Sequence, residues 1–309
     1  MSVVIISYNS SKYIIEALDS VYTQDYQNIE LIIADDGSKD NTVLLIKQWL
    51  EKHRNRFTDV KERFAVKNQG TSYNLNAGFE LCKGEWIKIL AGDDVLSKSC
   101  VSDNVRYVID TDCNSVVFSK LLFFKNENGK RKERELGKEE REFCIKLAQK
   151  SPKQQYNTLL KRDIMVTVSM FINREMLFRI GKCDVQIPLI EDWPLRLKIT
   201  KQGYAIYFMD KVTVLHRMED SVTRKEGNFY HERHLENVRR LKKIYCYPNI
   251  PKNKILYYYQ EILQYMCENI IIRWLKNKKS FGTAMVYNIF FLLMPKNWNK
   301  ILFKIRVKM

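Results

Sequence analysis

Short apolar runs alternate with helix-length segments over the first hundred residues. The runs SVVIIS (residues 2–7) and IELIIA (29–34) are rich in β-branched side chains, which is typical of strands buried on both faces of a sheet. Apolar residues recur at helical spacing in 14–22, 42–49 and 71–81. Strands and helices that alternate in this way predict an α/β fold with a mostly parallel sheet and helices on both faces.

Weaker patterns complete this outline. Residues 64–67 are expected to form a short third strand, and 115–119 (SVVFS) and 166–172 (VTVSMFI) two later ones. Ser10 or Ser11 is expected to cap the helix that follows the first strand, because serine is a favoured N-cap residue.

Paired acids stand at the ends of two predicted strands. The segment GEWIKILAGDDVL (84–96) runs through an apolar stretch and ends on Asp93 and Asp94, as the earlier strand ends on Asp35 and Asp36. The carboxyl ends of parallel strands share one sheet edge, where ligands bind in α/β folds. Carboxylates there suit Mg²⁺ or Mn²⁺ together with substrate phosphates, so we predict a metal and diphosphate site. Alternatively, Asp93 and Asp94 only cap the next helix.

Five motifs in order resemble the family-two inverting glycosyltransferases, which have the GT-A fold. They are SVVIISYN, IELIIADDGSKDNT, NQGTSYNLNAGFELCKGEWI, LAGDD and IEDWPLRLKITKQGY, and the resemblance covers roughly residues 1 to 225. It implies a Rossmann-like sheet, a nucleotide-diphosphate sugar as donor and Mn²⁺ or Mg²⁺ as cofactor.

The resemblance also implies roles for single residues in the donor site. Ser7 and Tyr8 would line the nucleotide pocket, and Asp36, with Asp35, would bind the base. Asn68, Gly70 and Asn76 would lie around the base and the ribose. Asp93 would lie near the sugar and the ribose, and Asp94 would be a metal ligand. Two positions depart from the family pattern. Ala91 stands where relatives often have an acid, and Leu75 where many have an arginine, so the cation near the nucleotide stays unassigned.

A second acidic pair, Glu191-Asp192, precedes Trp193 and Pro194. By the resemblance, Asp192 is the catalytic base that takes the proton of the acceptor hydroxyl during inverting transfer. Glu191 would orient the acceptor, and Trp193 would either stack on a sugar ring or pack in the core. Without the family pattern, the acids are equally well explained as a helix N-cap, with Pro194 in the first turn.

A segment near residue 216 resembles the family's Tyr-Arg-x-His-x-x-Ser motif imperfectly. Ser221 matches, but Met218 occupies the usual histidine position. His216 or Arg217 is therefore expected to meet the metal or the diphosphate, since either can bind phosphate. The alternative for His216 is a purely structural role.

The charge of the chain changes the picture at its C-terminal end. The net charge is +16, and residues 270–309 contain nine Lys or Arg, no acid, and interleaved Trp and Phe. Basic residues with aromatic ones, in apolar runs too short to cross a bilayer, predict interfacial helices on an anionic membrane. The alternative is a helical extension that packs on the catalytic domain.

Domain boundaries follow from these patterns. Residues 1–225 are predicted to form the catalytic domain, with a nucleotide-sugar half at 1–100 and an acceptor half at 101–225, and residues 226–309 a helical extension. A linker is expected at 245–251. The charged tract Lys125–Arg141 is expected to be a solvated hairpin or a loop over the acceptor.

The seven scattered cysteines and the lack of a signal-like start predict a cytoplasmic protein, held peripherally at the inner face of the plasma membrane. The predicted function is transfer of a sugar, expected from a UDP-sugar, to a saccharide or a polyprenyl-diphosphate-linked acceptor. The rival hypotheses are a non-catalytic relative that binds nucleotide sugar or a partner, and a nucleic-acid-binding protein. The latter is disfavoured because no nucleic-acid module is present and acidic strand ends repel phosphate backbones.

Overall fold

The computed structural model describes residues 1–127, 130–163, 167–218 and 228–298. The chain forms two compact units, here named the sheet unit (Met1–Glu219) and the helical unit (Asp220–Met309). Among the described residues, every β-strand belongs to the sheet unit.

Four parallel strands and three helices build the first half of the sheet unit. In chain order they are β1 (Ser2–Ser7), α1 (Ile14–Tyr22), β2 (Glu30–Asp35), α2 (Thr42–His53), β3 (Asp59–Phe64), α3 (Thr71–Leu81) and β4 (Trp86–Ala91). The strands lie in the order β3-β2-β1-β4, and each neighbouring pair is parallel. The α/β prediction is confirmed, and β1 and α3 have the predicted bounds.

The second half extends the same sheet with mostly antiparallel pairs. Its elements are β5 (Val95–Leu96), α4 (Cys100–Asp110), β6 (Val116–Glu127), β7 (Lys130–Glu135), α5 (Lys138–Ala148), α6 (Pro152–Leu159), β8 (Phe171–Asn173), α7 (Arg174–Arg179), α8 (Asp192–Lys201) and β9 (Ile206–Arg217). The order continues β4-β8-β6-β9-β5, with β7 paired to β6. Only β6 and β9 run parallel here, so the complete sheet is mixed.

Two local predictions in the first half are wrong. The third strand is Asp59–Phe64 and not residues 64–67. It is an edge strand whose residues are all half-buried, so charged side chains are tolerated and no apolar run marks it. Helix α1 begins after Tyr13 without a side-chain cap, because a turn accepted by the Ser10 carbonyl comes first.

Two predictions in the second half need correction or extension. The strand expected at 166–172 is reduced to β8, because Thr167–Ser169 form a 3-10 turn; Val166 lies outside the described residues. The strand expected at 115–119 continues to Glu127 and pairs with β7, so the charged tract includes the predicted hairpin. Its tip at 128–129 lies outside the described residues.

The helical unit contains α9 (Glu232–Leu241), α10 (Ile255–Asn269) and α11 (Phe281–Leu293). The predicted linker at 245–251 is wrong. Residues Lys242–Cys246 and Tyr247–Asn249 form helical turns, and the Cys246 side chain is fully buried, so this segment packs as part of the unit.

Helices α10 and α11 leave large apolar side chains exposed. The exposed residues of α10 and α11 include Ile255, Leu256, Tyr259, Ile262, Met266, Phe281, Met285, Ile289 and Leu292. Between the two helices, Trp274 is 81% exposed beside exposed Lys276, Lys278 and Lys279. Within the described part of the chain, none of the helices has both the length and the apolar character needed to cross a bilayer.

Candidate functional site

The two acidic strand ends lie at one edge of the sheet. Strand β1 lies between β2 and β4 and is parallel to both, so the carboxyl ends of all three strands point the same way. The Asp36 amide also donates a hydrogen bond to the Ser7 carbonyl oxygen (2.9 Å). The predicted proximity of the strand ends therefore follows from the register of these three strands.

Asp35 organises the turn after β2. Its side chain is fully buried. It accepts hydrogen bonds from Ser7 Oγ (2.8 Å), from the Ser38 amide (2.8 Å) and from Ser38 Oγ (2.5 Å). Ser7 and Asp35, both predicted to bind the nucleotide, are therefore hydrogen-bonded to each other and stabilise the ends of β1 and β2.

Asp36 holds the loop that follows β3. Its two carboxylate oxygens accept the amides of Gln69 (2.9 Å) and Gly70 (2.8 Å). Burial raises the pKa of Asp36 above its usual value, although these two hydrogen bonds act against the shift. Gly70 has φ +100, and a Cβ there would lie 2.7 Å from Pro188, so only glycine fits. Each Asp36 oxygen keeps a lone pair for a ligand.

The other predicted nucleotide residues divide into exposed and structural ones. Asn68 is exposed in the loop and Tyr8 is half-buried beside the edge. Asn76 is not free for ribose, because its amide group donates to the Cys183 carbonyl and accepts from the Cys183 amide, both at 2.9 Å. It joins α3 to the segment that leads to α8.

That segment, residues 183–188, lies between the contacts of α3 and the second acidic pair. Ser72 Oγ donates to the Ile187 carbonyl (2.8 Å), and the Ser72 amide donates to the Pro188 carbonyl (3.2 Å). Glu191 and Asp192 follow within four residues of Pro188. These hydrogen bonds attach the segment before the second acidic pair to the start of α3, directly after the loop that Asp36 holds. The family resemblance implied one shared site for these acids, but no local pattern indicated which residues join them.

Arg63 is a cation that the sequence analysis missed. It lies near the carboxyl end of β3, opposite Ala34 of β2, and its charge acts on Asp36. Its guanidinium carbon lies 5.3 Å from the centre of the Tyr73 ring. Nη1 is buried and has no hydrogen-bond partner among the described residues. The signal available in the sequence was an arginine just before Phe64, at the end of a short, mostly charged segment that precedes a turn.

Asp94 is enclosed at the end of β4. Its Oδ2 lies 3.0 Å from His216 Nδ1, and its Oδ1 accepts the Arg217 amide at 2.8 Å. The residue has no solvent exposure. Helix α4 begins only at Cys100 after Ser99, so neither Asp93 nor Asp94 caps it, and that alternative is excluded. Asp94 was predicted to be the metal ligand; in this structure it first of all orients His216.

Asp93 and His216 are the more accessible members of the group. Burial and the neighbouring Asp94 carboxylate raise the pKa of Asp93. Burial acts to lower the pKa of His216, but the hydrogen bond and charge of Asp94 outweigh it and raise that pKa. The His216 side chain is 31% exposed.

A divalent ion fits these residues only if the substrate supplies further ligands. Among the described residues, no three His, Cys, Asp or Glu side chains cluster as a metal site. The Asp93 carboxylate and the His216 imidazole suit Mn²⁺ or Mg²⁺ when diphosphate oxygens complete the shell. Asp94 would then serve as the carboxylate that fixes the ligating histidine, a common arrangement around protein-bound metals.

Arg217, the alternative to His216, is committed to the fold. Its side chain is 1% exposed, ion-paired with Glu16, and its Nε donates to the Asp93 carbonyl (2.8 Å). The guanidinium also stacks on Tyr13 (4.2 Å) and Phe124 (4.5 Å). Of the two candidates, His216 is the one that remains open to a phosphate. Ser221 lies outside the described residues.

The acidic pair 191–192 begins α8. The Glu191 side chain makes no capping hydrogen bond, whereas Asp192 Oδ1 accepts the Trp193 amide at 2.7 Å. Asp192 Oδ2 lies 2.9 Å from Nη2 of the buried Arg196, and the Asp192 side chain is 23% exposed. Burial, and then the Asp192 charge, raise the pKa of Glu191 to about 7.

Trp193 is anchored and does not stand free as a stacking platform. Its indole Nε1 donates to the Leu159 carbonyl at the end of α6 (2.8 Å), and the side chain is half-buried. Of the two alternatives for this residue, the packed one agrees with the structure.

Comparison with known proteins adds a family match. The family described as "Glycosyl transferase family 2" matches residues 2–179. The chain is 32% identical over 117 residues to glycosyltransferase GlyG of Streptococcus pneumoniae, and the match covers 38% of each protein. It is 24% identical over 261 residues to the putative teichuronic acid biosynthesis glycosyltransferase TuaG of Bacillus subtilis, covering 82% of this chain and 96% of TuaG. The chain thus spans well under half of the pneumococcal relative.

Two solved structures show the same fold at low sequence identity. S. aureus TarS 1-349 in complex with UDP-GlcNAc has a TM-score of 0.56 at 16% identity, covering 96% of this chain and 82% of that one. Mannosyltransferase PcManGT from Pyrobaculum calidifontis, in complex with GDP-Man and Mn²⁺, has a TM-score of 0.53 at 19% identity, covering 96% and 71%. The expected GT-A fold is therefore confirmed.

Proposed function

Because this chain belongs to glycosyl transferase family 2, we propose that it transfers a sugar from a nucleotide-diphosphate sugar to a hydroxyl of an acceptor saccharide by single displacement with inversion. The observation that carries this proposal is a set of hydrogen bonds in which Asp36 accepts the Gly70 amide and Ser72 donates to the carbonyls of residues 187–188, which precede Asp192 by four to five residues. It joins a nucleotide loop to a carboxylate suited to deprotonate an acceptor.

In the proposed step one bond forms and one breaks. The acceptor oxygen attacks the anomeric carbon from the face opposite the diphosphate, and its proton moves to a carboxylate oxygen of Asp192. The electron pair of the bond between the anomeric carbon and oxygen leaves with the nucleoside diphosphate. Asp93 and His216 would hold a divalent ion, and Asp94 would orient His216 through its hydrogen bond. The bound ion would neutralise charge on the leaving diphosphate.

We propose a UDP-sugar as the donor. Asp36 has free acceptor lone pairs, and Arg63 beside it has a free donor. This combination suits a base that carries a ring N–H next to a carbonyl, as uracil and guanine do and adenine and cytosine do not. Structural neighbours in complex with UDP-GlcNAc and GDP-Man agree with that class of donor. Tyr8 and Asn68 would complete the pocket at the exposed rim.

We propose residues 1–225 as the catalytic domain and 226–309 as an extension that binds an anionic membrane. The exposed apolar faces of α10 and α11, with Trp274 and three lysines between them, support an interfacial position. A saccharide or polyprenyl-diphosphate-linked acceptor at the cytoplasmic face of the plasma membrane would fit this arrangement. TuaG, described as a putative teichuronic acid biosynthesis glycosyltransferase, is a relative of similar length.

On the acceptor side, Glu191 would orient the incoming hydroxyl, and Trp193 would form a fixed wall. A non-catalytic role is the principal alternative for the site. The presence of Asp36, Asp93 and Asp94 at neighbouring strand ends, together with Asp192 at the start of α8, speaks against it. A nucleic-acid-binding role has no further support from the structure, since the enclosed groups at the sheet edge are mainly acidic.

The first experiment is a thermal-shift panel of nucleotide diphosphates and their sugars, with Mn²⁺, with Mg²⁺ and with EDTA. Stabilisation grows with the ratio of ligand concentration to Kd, so the true donor gives the largest shift. We expect uridine or guanosine compounds to stabilise the protein in the presence of metal. A folded protein that no donor shifts under any condition would contradict the proposed function.

A further inference from the structure

Arg196 is buried at an unusual place for a charge. It lies one helical turn after Asp192 on α8, between the buried Leu195 and Leu197, and its side chain has no solvent exposure. Enclosing a guanidinium destabilises the fold unless carboxylates compensate for the lost water. Two carboxylates do so here, those of Asp163 and Asp192.

The two carboxylates share the guanidinium unequally. Asp163 binds the guanidinium in a bidentate manner, because Nε donates to its Oδ1 (2.8 Å) and Nη2 contacts its Oδ2. Asp192 receives only the single contact from Nη2 (2.9 Å) and otherwise accepts the Trp193 amide. Bidentate arginine–carboxylate pairs are the stronger kind. Asp192 is therefore oriented by Arg196 without being fully neutralised by it.

Arg196 is also imperfectly paired for a residue that only stabilises the fold. Nη1 is enclosed without a hydrogen-bond partner among the described residues, and an enclosed donor of this kind lowers the stability of the fold. The guanidinium carbon lies 5.4 Å from the centre of the Phe118 ring. The arrangement costs stability at the one position where α8 presents a carboxylate to the site.

We propose that Asp163 and Arg196 form a positioning pair for Asp192. Asp163 holds the guanidinium, and the guanidinium holds one oxygen of Asp192 in place while leaving it able to accept a proton. This inference rests on the proposed role of Asp192 as base. Neither Asp163 nor Arg196 touches the reacting atoms. Of the described groups, Glu191 and Cys183 also interact electrostatically with Asp192, and both belong in any pH analysis.

Two substitutions should move the pH profile in opposite directions. In Asp163→Asn the guanidinium has Asp192 as its remaining carboxylate partner and stabilises the Asp192 carboxylate more strongly. The acid limb of the kcat/KM profile should therefore shift to a lower pH by about one unit. In Arg196→Met the counter-charge is lost, so the acid limb should move up by about one pH unit. The assay is release of nucleoside diphosphate from the donor that shows the largest thermal shift, with water as acceptor. A merely destabilised protein would not show opposite shifts.

Two further variants complete the design. Arg196→Lys keeps the charge and loses the fork, so it should restore the position of the limb while kcat stays about 10-fold low. Arg179→Met, which removes an exposed pair with Glu175 on α7, is the matched control and should leave the profile unchanged. Equal shifts in Asp163→Asn and Arg196→Met, or a wild-type profile in folded Asp163→Asn, would overturn the proposal.

The pair can also be tested without turnover. Selective carboxyl-¹³C labelling of aspartate lets NMR follow the Asp192 titration, assigned with Asp192→Asn, in the wild type and in Asp163→Asn. We expect the midpoint to fall in Asp163→Asn. If this shift is seen while Asp192→Asn remains active, Asp163 and Arg196 do position Asp192, but Asp192 is not the base. An unchanged midpoint would contradict the proposed positioning pair. Should Arg196→Met fail to fold, Asp163→Asn alone decides between these outcomes.

Discussion

The sheet unit and the helical unit break the usual rule of burial in opposite ways. The sheet unit encloses charges, with Asp35, Lys88, Asp94 and Arg196 at zero exposure, whereas the helical unit leaves Phe281 87% exposed. Both choices cost stability, because enclosed ions lose hydration and exposed apolar surface is not removed from water. Enclosed charges hold a polar site ready for a small ligand. Exposed apolar faces flanked by lysines suit a large partner such as a lipid surface.

The largest expected effect concerns Asp192, the proposed catalytic base. Asp192→Asn should lower turnover by about 10²- to 10⁴-fold, because an amide cannot take the proton, while donor affinity stays unchanged. Kinetics with the identified donor, together with calorimetric titration, measure the two effects. Glu175→Gln, an exposed acid on α7, is the control. If Glu191→Gln abolishes turnover and Asp192→Asn does not, the roles within the pair are reversed.

A smaller effect is expected from the enclosed Lys88. Its Nζ donates to the Val168 carbonyl (2.8 Å), and burial lowers the pKa of Lys88 to about 8 from 10.5. Between these values the unfolded chain binds more protons than the native one, so the free energy of unfolding should rise with pH. The rise is about 3 kcal/mol from pH 8 to 10.5, at 1.36 kcal/mol per pKa unit.

Urea unfolding of the wild type and of Lys88→Met across this pH range is the measurement. The difference between the two proteins isolates Lys88 from the other groups that titrate above pH 8. A difference that is flat with pH would show that Lys88 has the same pKa in the native and the unfolded chain, as it would if it gained water when protonated.

The helical unit should respond to charge at its surface. In Lys278→Gln/Lys279→Gln, partition into vesicles with anionic lipid should fall about 30-fold, since each basic residue near such a surface contributes about 1 kcal/mol. Vesicle sedimentation of the full chain at fixed salt is the measurement. Lys47→Gln/Lys52→Gln on α2 is the control with the same change of charge. An equal loss in the control would mean that net charge, and not this surface, drives binding.

The smallest effect is expected at the nucleotide end of the sheet. Arg63→Met should raise the Kd for the donor nucleotide about 10-fold, since a hydrogen bond from a charged group contributes about 1.5–3 kcal/mol. Arg54→Met is the matched control, because Arg54 pairs with Glu62 on the same edge strand and is half-exposed. Titration calorimetry with the nucleoside diphosphate measures the Kd of both variants. An unchanged Kd in Arg63→Met would show that Arg63 does not bind the nucleotide.

Much of the first half of the fold could be predicted from local patterns. Strand β1 and helix α3 have the bounds read from hydrophobic periodicity, and both acidic strand ends were identified. The prediction for strand β3 was wrong because four of its six residues are charged, so that this edge strand lacks the apolar run that marks a central strand. The linker predicted at 245–251 was wrong because prolines and an asparagine there suggested a break, whereas residues 242–249 form helical turns.

The sequence by itself determined where the charged groups stand along the chain: four acids at two strand ends, a third acidic pair at the start of a helix, and a basic aromatic tail. Only the tertiary structure decided which of these groups are enclosed and which are open. Asp94 meets His216 from 122 residues away, Arg217 meets Glu16 from 201, and Arg196 meets Asp163 from 33. The reason is physical. A strand end is a local property of the chain, whereas the hydrogen-bond partners of a carboxylate, and with them its charge and accessibility, are set by segments that meet only after folding.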